Sequence, residues 1–142
     1  MTHSDLVEIG YKWILKKCSF AFKEMKCLNN EIPDVIGFRS NVSFLIEAKT
    51  SKSDFLIDKK KPFRIKPELG VGDFRFFITP VGLISIEELP DNWGLIEVNQ
   101  KGKVENEYNP FGKGNIYSVW IKNKKNKEAE FNILYSALRR QK

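Results

Sequence analysis

At 142 residues, with 42% hydrophobic and 30% charged side chains, the chain is long enough for one domain spanning residues 1–142 and too apolar to stay disordered. No apolar run approaches the roughly 20 residues that a bilayer demands, so no membrane partner is expected. The net charge of +6 is concentrated in local basic runs, which suit phosphate backbones.

The opening residues lack the basic-then-apolar pattern of a secretion signal, and a cytoplasmic protein is the expectation. Cys18 and Cys27 form no CxxC pair, and His3 is the single histidine. Four ligands for a zinc site of Cys and His are therefore lacking. Two buried thiols in a reducing compartment are expected instead, and a histidine base is not.

Residues 4–17 are predicted as a helix, with Thr2 or Ser4 as the cap and Asp5 and Glu8 in the first turns. Residues 18–26 alternate, Cys18, Phe20 and Phe22 against Ser19, Ala21 and Lys23, which is a strand pattern. "PDVIGFRS" gives a second strand and "VSFLIEAKT" a third, joined by a turn at residues 39–41. Short links make the three an antiparallel meander.

Residues 51–61 suit a short helix capped by Ser51 or Ser53. Residues 62–75 read as a basic loop punctuated by Pro62, Pro67, Gly70 and Gly72. Strands follow at "FRFFITP", "WGLIEVN" and "GNIYSVWIK", with a short helix or turn at "ISIEELP" and a hairpin turn at "KGK". Residues 127–142 close the chain as a helix with Phe131, Leu134, Tyr135 and Leu138 on one stripe. The order predicts an α+β (α/β) core around a central mixed sheet flanked by helices.

Two charged residues inside the third strand carry the functional signal. Side chains alternate faces in a strand, so Glu47 and Lys49 share one face, about 6–7 Å apart at their Cα atoms, while Phe44, Ile46 and Ala48 pack on the other. Asp34 opens the preceding strand and falls roughly opposite positions 46–48. Asp34 and Glu47 can then reach one cation, and two carboxylates with a backbone carbonyl and waters are the oxygen donors that Mg²⁺ prefers. Lys49 beside them can position or activate an attacking water.

"PDVIGFRSNVSFLIEAKT" resembles the PD-(D/E)xK nuclease superfamily. The matching residues are Pro33, Asp34, Glu47, Ala48 and Lys49, with twelve residues between the acids. The pairing sets this pattern apart from two decoys, the ExK at Glu24 and the PD at Pro90, each of which lacks its other half. The resemblance covers residues 4 to about 66. It implies a restriction-endonuclease-like or Holliday-junction-resolvase-like core and Mg²⁺-dependent phosphodiester hydrolysis, with Mn²⁺ as a substitute. It also implies Asp34, Glu47 and the Ala48 carbonyl as metal ligands, Lys49 on the water, and an acid from the first helix, Glu8 or Asp5. DNA is favoured over RNA on the same ground.

Arg64, Lys66, Arg75 and Lys52 are expected to grip phosphates, and Phe55, Phe63 and Phe76 between them suit base stacking or core packing. One such site cuts one strand per event, so duplex cleavage calls for a homodimer or two encounters. Two other readings stand beside the nuclease. One is a catalytically silent nucleic-acid-binding subunit on the same fold. The other is a small basic protein that assembles with a larger protein partner, which would expose a large apolar patch.

Overall fold

The computed structural model describes residues 1–26, 31–112 and 123–141. Helix α1 (His3–Leu15) leads into strands β1 (Phe20–Lys23), β2 (Val35–Arg39) and β3 (Val42–Ala48). Helices α2 (Lys52–Asp58) and α3 (Pro62–Ile65) and a 3₁₀ turn (Pro67–Leu69) lead to β4 (Phe74–Pro80). A second 3₁₀ turn (Ile86–Glu88), β5 (Trp93–Val98), β6 (Val104–Tyr108) and α4 (Lys127–Arg140) complete the order. The six strands form one mixed sheet in chain order. Pairs β1–β2, β2–β3 and β5–β6 are antiparallel, and β3–β4 and β4–β5 are parallel. The α+β class, the first helix and the antiparallel meander are as expected.

Thr2 caps α1 in a reciprocal box with Asp5, so the helix begins at His3 and draws the histidine out of the terminus. The α1 face carrying Leu6, Trp13 and Ile14 packs on Phe44, Ile46 and Ala48. Gly37 on β2 lets that helix approach, since a Cβ there would stand 3.0 Å from Ile14. Between β5 and β6, Gly102 takes φ +80° and the Asn99 side chain accepts from the Lys101 and Lys103 amides, which builds the expected hairpin turn.

Three expectations change. The face of β3 bearing Leu45 and Glu47 is also buried, because α2, α4 and the chain before β5 cover it with Phe55, Ala129, Ile133 and Ile84, beside Trp93 of β5. The basic loop at residues 62–75 is instead α3 and a 3₁₀ turn, with Pro62 at the start of α3, where its missing N–H is harmless. On α4 the apolar stripe faces outward: Phe131, Tyr135 and Leu138 are 72%, 54% and 67% exposed, and Leu134 is only partly buried. The buried face is Ala129, Ile133 and Ala137 with Glu130, whose carboxylate takes the Gly72 amide at 2.7 Å. Small residues bring the helix close, and the buried acid fixes its rotation. The strand expected at residues 114–122 lies outside the described residues, as does Cys27. Cys18 is a buried free thiol, pushed up to about 11 by burial.

Candidate metal centre

The register of β2 and β3 sets Val35 opposite Ile46, which leaves Asp34 at the level of Glu47. The two acids are cross-linked through the backbone. The Asp34 amide donates to Glu47 Oε2 at 3.3 Å, and the Ala48 amide donates to Asp34 Oδ2 at 2.8 Å. The structure thus brings Asp34 and Glu47, two of the residues singled out in the sequence, side by side. Lys49 follows β3 directly, its amide bonded to the Ile78 carbonyl at 3.0 Å, so the rigid centre of the sheet carries the group.

Behind Glu47 lies Arg64, 6% exposed. Each guanidinium nitrogen meets a different carboxylate: Nη2 donates to Glu47 Oε1 at 2.6 Å, Nη1 to Glu31 Oε2 at 2.9 Å, and Nε to Asp58 Oδ2 at 2.8 Å. Lys49 Nζ lies 3.1 Å from Asp58 Oδ1, and Lys61 Nζ 3.3 Å from the same oxygen. Glu47 and Lys49 are therefore joined through Arg64 and Asp58. Phe63 and Trp93 flank the guanidinium at 4.9 and 4.8 Å.

Burial drives the electrostatics. It pushes the Glu47 carboxyl up to about 8, past the opposing pull of Arg64, and neighbouring Asp34 adds to the rise. Burial also raises Asp34 and Glu31. It would raise Asp58 as well, but Arg64, Lys49 and Lys61 outweigh it and hold that carboxyl below the ordinary range. Three of the four carboxyls are thus held toward their protonated forms, chiefly by burial. Access is through Asp34 and Lys49, whose side chains are 16% and 12% exposed, against 6% for Glu47.

Asp34 stands at the mouth with Glu47 buried behind it, and oxygen donors of this kind, one or two carboxylates completed by waters, are what Mg²⁺ takes. Among the described residues no group of three or more His, Cys, Asp or Glu side chains that could hold a metal ion is found.

The remaining expected residues are placed elsewhere. Glu8 pairs with Lys23 on the surface, and the α1 side chain that meets Asp34 is His3, with Nε2 at 3.3 Å from Oδ2. Arg64 and Arg75 do not face solvent. Arg64 serves the carboxylates, and Arg75, 2% exposed, donates to the carbonyls of Gly72, Pro67 and Lys124 at 2.8–2.9 Å. Burial lowers the Arg75 guanidinium to about 10. Both correct the expectation of phosphate contact, because a buried cation survives only with partners of its own. Lys66 is exposed, and Lys52 pairs with Glu88 on the surface. Phe55 and Phe76 are core residues, and Phe63 is half-buried. Glu31, Asp58 and His3 were missed. The one signal pointing to Asp58 is its place at the end of a short helix that follows the ExK strand directly.

No helix among the described residues is long and apolar enough to cross a membrane. No family model matches the chain, and no curated protein sequence matches it. A solved structure described as "SPO1766 protein of unknown function from Silicibacter pomeroyi" is similar at a TM-score of 0.60 and 18% identity, covering 99% of this chain and 90% of that one. The likeness is one of fold.

Proposed function

We propose that this protein is a divalent-metal-dependent phosphodiesterase acting on nucleic acid, with DNA as the favoured substrate. The observation that carries the reading is the backbone cross-link that holds the Asp34 and Glu47 carboxylates together beside Lys49. Asp34, Glu47 and the Ala48 carbonyl would hold Mg²⁺ or Mn²⁺, which when bound polarises a phosphoryl oxygen and acidifies a water. Glu47 is kept in place by Arg64. Lys49 is steered by Asp58 and stands next to the mouth, where its ammonium can orient the attacking water and offset phosphate charge. A reduced Cys18 suits a cytoplasmic setting.

The test is cleavage of labelled single-stranded, duplex and branched DNA with Mg²⁺, Mn²⁺ or EDTA. Wild type should cut only with metal, and Lys49→Ala should lose about 100-fold or more. Cutting at full rate by that variant would overturn the assignment. A second reading, a silent subunit that assembles with a larger partner, is favoured by the exposed Phe131, Tyr135 and Leu138. Wild-type protein that never cuts would support it.

A further inference from the structure

The lysines expected to meet phosphate lie on the α2–α3 side of the sheet. The opposite side holds a different basic feature. A groove of about 740 Å³ runs between α1 and the β5–β6 hairpin, with Lys12, Lys16 and Lys17 on one wall and Lys103 on the other. Trp13 lies at its base, with its indole N–H donating to Glu107 and Lys17 Nζ 4.5 Å from its ring centre. An adjoining hollow of about 460 Å³ continues along α1 past Lys101 to Asp5 and Met1.

Four exposed lysines of this face carry unspent charge. Among the described residues Lys12, Lys16, Lys101 and Lys103 enter no ion pair, whereas surface lysines Lys23 and Lys52 each have a carboxylate. Lys12, Lys16, Lys101 and Lys103 are all exposed. Lys12 and Lys16 stand one helical turn apart, about 6 Å along the axis. That row presents ammonium groups to successive charges of a linear polyanion. Glu107 is held by Trp13, which leaves Glu105 as the other acid of the walls.

We propose that this groove binds the phosphate backbone of a nucleic-acid strand through Lys12, Lys16, Lys17 and Lys103. Binding is by charge and independent of base sequence. It does not require the Asp34–Glu47 centre to be active, and it reaches a strand from the α1 side of the sheet. An acidic protein segment has the same sign of charge and is the outcome to be tested against.

The experiment is fluorescence anisotropy of a labelled random-sequence single-stranded oligonucleotide in EDTA, across a salt series. Four lysines meeting four phosphates give a slope of log K against log salt of about −3. Lys12→Glu with Lys16→Glu and Lys103→Glu should weaken binding at least about tenfold and reduce the slope by about 2. Lys26→Glu with Lys124→Glu and Lys127→Glu, three exposed lysines outside the groove and the metal centre, changes the net charge equally and should leave affinity within about threefold of wild type. Glutamine versions of both sets repeat the comparison if a reversal fails to fold. Glu47→Gln should bind like wild type, which separates this proposal from the catalytic one. Equal loss in both sets, no binding by wild type at low salt, or equally tight binding of poly-glutamate would overturn it.

Discussion

Two buried charge clusters flank β3, built from the same kinds of residue, and they differ in which partner is under strain. At its start, Lys125 Nζ reaches Asp73 Oδ2 at 2.7 Å, Glu130 Oε1 at 2.8 Å and Ser43 Oγ at 3.2 Å. Burial works against that ammonium, yet Glu130 and Asp73 more than compensate and raise it. This cluster already holds its cation, and it ties α4 to the sheet. At the end of β3, Arg64 serves three carboxylates and still leaves Glu47, Glu31 and Asp34 pushed toward their protonated forms. Added positive charge favours the ionised forms of the raised carboxyls in the second cluster, whereas in the first Lys125 already bridges both acids. The two clusters thus differ in whether a cation sits between the acids or the acids are left raised by burial.

The largest expected effect is loss of the shared cation. Arg64→Ala strands three buried carboxylates and should cost about 3–5 kcal/mol in urea unfolding. A cost below about 1 kcal/mol would show that the guanidinium is dispensable. Lys125→Met removes a partly exposed partner and should cost less, about 1.5–3 kcal/mol, without weakening divalent-ion binding.

The pH response separates the clusters next. The folded Glu47 carboxyl lies near 8 and its ordinary value is 4.5, so between these the folded chain holds a proton that the unfolded chain has released. Unfolding free energy in EDTA should therefore fall as pH rises through that window, with Asp34 and Glu31 acting in the same direction. Lys125 is raised above 10.5, so its contribution is intact below that value and lost only as pH climbs through its folded value. Asp58 is lowered, so its contribution is present above 3.8 and lost as pH falls further. Glu47→Gln should flatten the slope between pH 5 and 8. A slope unchanged in that variant would remove Glu47 as its source.

The smallest effect is stabilisation by the ion itself. Mg²⁺ at ten times its Kd adds about 1.4 kcal/mol, or about 3–5 °C in Tm. The gain should be greater at pH 8 than at pH 6, and absent in Asp34→Asn. A gain of equal size in that variant would place the ion elsewhere.

The pairing of Asp34 with Glu47 was legible because strand alternation and turn length fix register within one meander. Arg64, Asp58 and Glu31 were not. Asp58 and Arg64 lie in the crossover from β3 to β4 and Glu31 lies before β2, and nothing local tells a buried Arg from a solvated one. His3 was missed because the cap at Thr2 starts the helix one residue earlier than the apolar spacing suggests. On α4 the large apolar side chains misled, since Ala129, Ala137 and the tethered Glu130 decide which face packs.

The most direct measurement is a Mn²⁺ titration followed by electron paramagnetic resonance at pH 8, on wild type, Glu47→Gln and Glu130→Gln, each shown folded by circular dichroism. The account predicts one bound ion per chain in wild type and in Glu130→Gln, and none in Glu47→Gln. Binding that survives in Glu47→Gln, or that is absent from wild type, would contradict it.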